Sequence, residues 1–154
     1  MIDSILVVCV GNICRSPLGA QLLTVKLAQA NQTVLIGSAG IGAMVGKGAD
    51  SVVAELAQAN GISLQGHIAR QFTSEMAAQH SLVLVMEPKH RQHILQKAPQ
   101  LAGRIMLFDH WTGARGISDP YRGSRELHEA VYKRIEEAAS AWTARLTVRK
   151  EQSA

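Results

Sequence analysis

The feature that most constrains the fold is an uninterrupted apolar run near the N-terminus, Ser-Ile-Leu-Val-Val-Cys-Val at residues 4–10. The run is rich in β-branched side chains and does not alternate with polar ones, which is the pattern of a strand buried on both faces, as in a parallel sheet. Gly11-Asn12 interrupts the run. Ser16-Pro17 then predicts a helix start, with Ser16 as the N-cap and Pro17 at the first helical position.

The rest of the chain repeats this alternation of apolar strands and helices. Further strands are predicted at 33–36, 81–86 and 105–108, and further helices at 49–60, from Pro88 and from Ser124. The last helix carries an apolar stripe that predicts packing on the core, formed by Leu127, Val131, Ile135, Ala138, Trp142 and Leu146. We therefore expect an α/β fold with a four-stranded parallel sheet flanked by helices on both faces, a three-layer α/β/α sandwich. A single domain over 1–148 and a frayed tail at 149–154 complete this prediction.

Composition excludes several classes of protein. The 154 residues include 16 Lys and Arg against 12 Asp and Glu, so the formal net charge is +4. Aromatic residues make up only 4% and no basic run exceeds two residues, so we expect no nucleic-acid binding. No apolar stretch approaches the roughly 20 residues of a membrane span, and no basic region precedes the first apolar run, so a cytoplasmic protein without membrane insertion is expected. Two cysteines exclude a disulfide scaffold.

The loop after the first strand is the first candidate for a site, because ligands of parallel α/β folds lie beyond the carboxyl ends of the strands. Cys9 and Arg15 are separated there by five residues. Gly11 and Asn12 tolerate positive φ, so the loop can turn its backbone N–H groups inward, and the following helix N-terminus adds positive potential. These features predict an anion site of phosphate size. The predicted phosphate-binding residues are Val10, Gly11, Asn12, Ile13, Cys14 and Arg15.

The residue types around this loop predict phosphoryl-transfer chemistry. The positive field favours the thiolate of Cys9, which is placed to attack phosphorus, and the fork of Arg15 matches two phosphoryl oxygens. Ser16 could donate a hydrogen bond to the sulfur, and Asp119, in the long loop 109–122, is a candidate general acid. Taken singly, Cys9 could be an inert core residue and Asp119 a turn residue. Cys14 could either pack or trap an oxidised Cys9 as a disulfide.

These motifs carry a family resemblance. Cys-Val-Gly-Asn-Ile-Cys-Arg-Ser-Pro at 9–17 and Asp-Pro-Tyr at 119–121 resemble the low-molecular-weight protein tyrosine phosphatases, and the resemblance extends over most of the chain. It implies the phosphotyrosine phosphatase I-like sandwich and hydrolysis through a cysteinyl-phosphate, with neither metal nor cofactor. It implies Cys9 as nucleophile, Arg15 as phosphate clamp and Asp119 as general acid. The supporting residues that it implies around the loop are Asn12, Ser16, Ser38 and His67.

The stretch at 42–50 resembles the bacterial branch that is paired with membrane tyrosine autokinases of capsule and exopolysaccharide export. Met44 stands near the position where many members carry an aromatic side chain, and Arg122 follows Tyr121 where eukaryotic members tend to have a second tyrosine. We therefore expect substrate contacts from Met44, Tyr121 and Arg122, in an open mouth with Tyr121 as its main ring. The implied partner is a tyrosine-phosphorylated protein, a bacterial autokinase with an acidic, tyrosine-rich tail. The chain itself is expected to be a monomer or a weak dimer. The acidic tail would be attracted by basic side chains near the mouth, for which the candidates are Arg122, Lys47 and Arg125. The alternative is that these three are ordinary solvated charges.

Two other functions stay open on the sequence. Protein arginine phosphatases look similar but have Thr where this chain has Ile13, and an apolar side chain beside the leaving group suits a tyrosyl ring better than a guanidinium. A non-catalytic phosphotyrosine-binding module would need neither a thiolate nor Asp119.

Two further functions are disfavoured. Arsenate reductases share the loop but need further cysteines, which this chain lacks. A metal site at His90 and His93 would need a third ligand, and none is evident in the sequence.

Overall fold

The structure, a computed structural model, describes residues 1–153, with side chains described for residues 1–147. The predicted frayed tail at 149–154 lies outside the residues described with side chains. The elements are β1 (Ser4–Cys9), α1 (Arg15–Gln29), β2 (Leu35–Gly40), α2 (Ser51–Ala59), α3 (Ser74–Ala78), β3 (Leu82–Val85), α4 (Pro88–Lys97), a 3-10 helix (Pro99–Arg104), β4 (Ile105–Leu107) and α5 (Arg125–Ser153).

The four strands form one parallel sheet in the order β2-β1-β3-β4. Alternate residues of β1 face opposite layers, as the pleat of a strand requires. Ile5 and Val7 pack in a core that includes residues of α1, α2 and α5, whereas Leu6 and Val8 pack in a second core with residues of α3 and α4. The predicted three-layer sandwich is confirmed, and the first loop lies at the carboxyl edge of its central strands.

Two predicted boundaries were wrong. β2 does not end before Gly37 but continues to Gly40, because its pairing with β1 continues until Cys9 lies opposite Gly40, and this pairing outweighs the weak strand preference of glycine and serine. Helix α1 begins at Arg15, and Cys14 rather than Ser16 is its N-cap. Ser16 lies inside the first turn, where its hydroxyl is free to point at the loop.

Helix α5 holds the long loop against the sheet. Of its predicted stripe, Leu127 is exposed and the other five residues are buried. The indole N–H of Trp142 donates to the carbonyl of Phe108 at 2.7 Å, which anchors the start of the loop. Across the helices that the structure describes, none is both long and apolar enough to cross a membrane.

Candidate active site

The loop between β1 and α1 turns its carbonyl groups away from its centre. The carbonyls of Cys9, Val10 and Gly11 accept hydrogen bonds from the backbone N–H groups of Ile41, Gly42 and Met44, at 3.0, 3.0 and 2.9 Å. The next three carbonyls accept from outside the loop as well, namely Asn12 from His67, Ile13 from Asp50 and Cys14 from Leu18. Among the described residues, the N–H groups of 11–14 find no acceptor. The loop is therefore a set of inward-facing donors, the arrangement that binds an anion.

Two residues permit this shape. Asn12 is completely buried and has φ of 59°, a left-handed conformation that asparagine tolerates better than most residues. Gly40 lies against the loop so closely that a Cβ there would be 2.2 Å from the carbonyl oxygen of Val10. Any side chain at position 40 would displace the loop, so this glycine is part of the site.

A chain of polar side chains leads from β2 to the sulfur of Cys9. The amide nitrogen of Asn12 donates to the hydroxyls of Ser16 and Ser38 at 2.7 and 3.0 Å. The Ser16 oxygen lies 2.9 Å from Sγ of Cys9. Because this oxygen already accepts from Asn12, its own hydrogen is the one to be donated, and its two acceptors are the sulfur and, at a longer 3.4 Å, the Ala39 carbonyl oxygen.

The segment between α2 and α3 fixes Asn12 from the opposite side. Nε2 of His67 lies 2.6 Å from the Asn12 carbonyl oxygen and is therefore the protonated nitrogen in this contact. The backbone N–H of Arg70 donates to Oδ1 of Asn12 at 3.0 Å. Asn12 thus has its side-chain oxygen, side-chain nitrogen and carbonyl all satisfied, which offsets the strain of its backbone. The structure brings the predicted supporting residues together around this one position.

Arg15 is buried, with only 1% of its surface exposed, and two acceptors orient its guanidinium. Nη1 donates to Oε2 of Glu87 at 2.7 Å and to the carbonyl oxygen of Ile117 at 2.8 Å. Both of these hydrogen bonds use Nη1, so Nη2 and Nε make no hydrogen bond among the described residues and are left for an anion in the loop.

Glu87 and His90 form a small polar unit behind Arg15. Burial opposes the charge of Glu87, but the hydrogen bond and positive charge of Arg15 outweigh it, so the pKa of Glu87 is lowered. His90 accepts the Glu87 backbone N–H on Nδ1 at 3.2 Å. Burial, followed by the charge of Arg15, lowers the pKa of His90 to about 4, so this imidazole is neutral at neutral pH.

Glu87→Gln tests the importance of this unit for stability. We expect the free energy of unfolding at neutral pH to fall by about 2 kcal/mol, because the buried guanidinium of Arg15 loses its carboxylate while Glu87 itself is partly solvated. Because the pKa of Glu87 is lowered from its ordinary 4.5, the extra stability of the wild type is complete above pH 4.5 and is lost as the pH falls below it. Denaturant unfolding of both proteins across this pH range measures the difference.

Glu55→Gln is the matched control. Glu55 pairs with Arg125 at 3.3 Å, but both side chains are more than half exposed, so its loss is expected to change stability by less than about 1 kcal/mol. If the two variants lose equal stability, Glu87 has no special part in holding Arg15.

Asp119 lies opposite the loop and makes two contacts. Oδ1 accepts the backbone N–H of Tyr121 at 3.0 Å, and Oδ2 lies 3.6 Å from Nη2 of Arg15. The first contact is a local turn of the kind that aspartate often forms. The second directs the other oxygen towards the guanidinium, at the rim of the loop. The carboxylate is thus both a turn former and a group of the candidate site.

The loop and Asp119 enclose a cavity of about 210 Å³, which we call the loop pocket. Tyr121 is the aromatic side chain of its lining, and Met44 and Ile13 supply apolar walls. The full lining is Cys9, Val10, Gly11, Ile13, Cys14, Arg15, Gly42, Met44, Asp119 and Tyr121. This arrangement places a sulfur, an arginine and a carboxylate around one space that can hold a phosphate ester of an apolar group.

The predicted basic residues of the mouth are not part of this lining. Arg122 has its guanidinium 5.2 Å from the centre of the Tyr121 ring, a cation–π contact outside the pocket. Arg125 pairs with Glu55 and Glu129 at 3.3 and 3.4 Å. Lys47 does not line the pocket either. The structure therefore brings Met44 and Tyr121 to the pocket and leaves the three cations out of its lining.

Cys14 differs from Cys9 in its surroundings. Burial, followed by the negative charges of Asp50 and Asp119, raises the pKa of the Cys14 thiol, so this group is protonated at neutral pH. Both cysteines are free thiols. A disulfide between them under oxidation stays a prediction.

Four residues of the site were not predicted from the sequence. Arg70, Glu87 and Ile117 act through contacts with residues more than fifty positions away, and no local pattern marks them. Gly40 is the last residue of β2, at the start of a glycine-rich stretch, and only the close approach of the Val10 carbonyl gives it a role. Within residues 1–147, no group of three or more His, Cys, Asp or Glu side chains is arranged to hold a metal ion.

Comparisons with known proteins show which sequences and solved structures this chain resembles. A sequence model of the family described as "Low molecular weight phosphotyrosine protein phosphatase" matches residues 4–153. The chain is 47% identical over 142 residues to the "Probable low molecular weight protein-tyrosine-phosphatase AmsI" of Erwinia amylovora, covering 92% of this chain and 96% of that one. It is 44% identical over 142 residues to the "Low molecular weight protein-tyrosine-phosphatase Wzb" of Salmonella typhimurium, covering 92% and 93%. Its structure is similar to that of the tyrosine phosphatase Wzb from Escherichia coli K30 in complex with sulphate, with a TM-score of 0.90, 45% identity and coverage of 95% and 99%.

Proposed function

The chain belongs to the low molecular weight phosphotyrosine protein phosphatases, and from this premise we propose that it hydrolyses phosphotyrosine through a phosphorylated Cys9. The observation that carries the proposal is the position of Cys9 in the lining of a pocket whose loop turns its carbonyls outward and leaves its N–H groups free. Donors that are already oriented stabilise the charge on a transferring phosphoryl group without having to reorganise.

The first step transfers the phosphoryl group to sulfur. The Cys9 thiolate attacks phosphorus, a sulfur–phosphorus bond forms, and the bond between phosphorus and the tyrosyl oxygen breaks. The loop N–H groups and the fork of Arg15 bind the non-bridging oxygens. Asp119 gives its proton to the departing oxygen, so tyrosine leaves as the neutral phenol.

The second step returns the enzyme to its starting state. Asp119, now a carboxylate, accepts a proton from a water molecule as that water attacks phosphorus. The sulfur–phosphorus bond breaks, inorganic phosphate is released and Cys9 leaves as a thiolate. Donation from the Ser16 hydroxyl, 2.9 Å from the sulfur, stabilises that leaving group.

The apolar walls of the pocket favour an aryl ester. Ile13 is part of the loop and lines the pocket, and Met44 and Tyr121 offer apolar faces to a ring that follows the phosphate. A guanidinium substrate would need an acidic partner of its own, and the one carboxylate of the pocket lining, Asp119, already faces Arg15 through Oδ2. We therefore place phosphotyrosine ahead of phosphoarginine.

Hydrolysis of matched peptides tests the proposal. Three peptides that differ only in carrying phosphotyrosine, phosphoserine or phosphoarginine are assayed for phosphate release. The Cys9→Ser protein, prepared in the same way, controls for contaminating phosphatases. We expect turnover of the phosphotyrosine peptide to exceed the others by at least about 100-fold, because only this substrate fills the apolar walls. Preferred turnover of phosphoarginine would reassign the substrate, and binding without turnover would make the protein a phosphotyrosine-binding module.

For the physiological partner, we propose a bacterial tyrosine autokinase of capsule or exopolysaccharide export, as the resemblance of residues 42–50 implies. Arg122 lies next to the pocket and outside it, where it can meet acidic residues that flank a phosphotyrosine. A cytoplasmic site of action accompanies this proposal, because a catalytic thiolate needs a reducing compartment.

A further inference from the structure

The outer edge of β2 carries backbone groups without partners. Leu35 donates to Asp3 and Ile41 donates to Cys9, so these residues face β1, whereas Gly40 donates to Arg70 on the other side. Since the backbone groups of successive strand residues point to opposite edges, Ile36 and Ser38 share the outward direction of Gly40. The Ser38 carbonyl accepts from Nε of Arg70 at 2.8 Å. Within the described residues, the N–H of Ser38 and both backbone groups of Ile36 have no partner.

These groups open into a cleft of about 420 Å³, which we call the edge cleft. Its walls are Ile36–Ser38 of β2, one side of α1 around Thr24, and residues 63–68 with Arg70. The volume lies within the usual range for ligand pockets. The cleft lies beside the catalytic loop but shares no lining residue with the loop pocket. It is thus a separate concavity along an open strand edge.

The cleft combines an apolar side chain with one cation. Ile68, on its wall, is 67% exposed, a large apolar surface for a side chain without a partner. Arg70 is exposed, and its only side-chain hydrogen bond among the described residues is the one from Nε to the Ser38 carbonyl. No Asp or Glu lines the cleft. Its electrostatics therefore favour an acidic ligand.

The position of Arg70 is set by the strand beneath it. A Cβ at Gly37 would lie 2.8 Å from Nη2 of Arg70, so the absence of a side chain at 37 lets the guanidinium lie against β2. Together with its bond to the Ser38 carbonyl, this holds the cation next to the free backbone groups of Ile36 and Ser38.

We propose that the edge cleft binds an extended acidic peptide segment of a partner protein, which adds to the outer edge of β2. Main-chain hydrogen bonds to Ile36 and Ser38 supply the pairing, an acidic side chain meets Arg70, and an apolar side chain covers Ile68. This is the recognition mode in which an extended peptide extends a sheet. The inference goes beyond the phosphatase reaction and does not depend on it.

A designed peptide tests the cleft. The probe is an acetylated, amidated peptide with a central glutamate between valines and threonines, labelled with fluorescein and followed by anisotropy. We expect binding to full-length protein that is unchanged by saturating inorganic phosphate, because the two pockets share no residue. We also expect shifts of the Ile36 and Ser38 amide signals in NMR spectra. A peptide with lysine in place of glutamate, and one with N-methylated backbone, should each bind at least about tenfold more weakly.

Substitutions on the walls supply matched controls. Thr24 is exposed on α1 and has no role in the loop, so Thr24→Glu adds a repelling charge while Thr24→Lys adds an attracting one at the same point. We expect Thr24→Glu and Arg70→Gln to weaken binding by about tenfold and Thr24→Lys to keep or tighten it. Competition by phosphate, equal binding of the lysine peptide, or no binding at about millimolar peptide would overturn the proposal. If the Ile36 and Ser38 amide signals shift with protein concentration in the absence of peptide, the strand edge pairs with a second copy of this chain instead, and the proposal is wrong.

Discussion

Cys9→Ser is expected to reduce hydrolysis of an aryl phosphate by more than about 10⁴-fold while leaving inorganic phosphate bound in the loop pocket. The hydroxyl of serine is a far weaker nucleophile than a thiolate, and no base stands beside it, since Ser16 is its hydrogen-bond partner. The phosphate affinity should persist because the loop N–H groups and Arg15 do not depend on sulfur. Steady-state turnover of 4-nitrophenyl phosphate and calorimetric titration with phosphate measure the two effects.

Cys14→Ser is the matched control for this variant. It makes the same atomic change five residues along the same loop, at the N-cap of α1, where serine is a favoured residue. We expect its turnover to stay within about tenfold of the wild type, because the protonated Cys14 thiol has no part in the transfer. Near-normal activity of Cys9→Ser would remove Cys9 as the nucleophile, whatever the control shows.

Asp119→Ala is expected to slow hydrolysis of a tyrosyl phosphate by about 10²–10⁴-fold, and to slow that of a nitrophenyl phosphate much less. The tyrosyl oxygen, with a pKa near 10, leaves poorly without a proton, whereas nitrophenolate is stable as an anion. The burst rate constants of the two substrates, measured under pre-steady-state conditions, isolate the first step. Equal losses for both substrates would exclude Asp119 as the proton donor.

Asp119→Asn separates the two contacts of this side chain. Asparagine keeps an oxygen that can accept the Tyr121 N–H, so the turn is preserved, but it has no acidic proton to give. If Asp119 is the general acid, the alanine and asparagine variants should be equally slow on the tyrosyl substrate. Recovery in the asparagine variant would mean that the turn, rather than proton transfer, explains the loss.

Local sequence patterns were enough to predict much of the fold and the core of the candidate site. The run at 4–10 and the glycine and asparagine after it predicted a buried strand and a cradle, because continuous apolar side chains and tolerance of positive φ are properties of single residues and their neighbours. The same reasoning failed for the start of α1. The hydroxyl of Ser16 has a partner in Cys9, and this competing contact removes it from the N-cap.

Local sequence patterns could not predict how the supporting residues contact the loop. Ser38 and His67 entered the sequence analysis through resemblance, since an isolated serine or histidine has no local signature. Their contacts with Asn12 depend on strand and loop partners 26 and 55 positions away. The clamp of Arg15 by Glu87 spans 72 positions and has the same origin.

The sequence was sufficient to predict the parallel α/β architecture and the shape of the loop after β1. It also pointed to the nucleophile, arginine and carboxylate that we propose act there. The folded structure was needed to show which groups orient these three side chains and that the predicted cations of the mouth are not part of the pocket lining. It also showed an open strand edge near the loop, with Arg70 against it. The difference follows from how far apart the interacting residues are in the sequence. Backbone preferences and burial patterns are properties of adjacent residues, whereas hydrogen bonds between distant segments exist only after the sheet has assembled and brought them into contact.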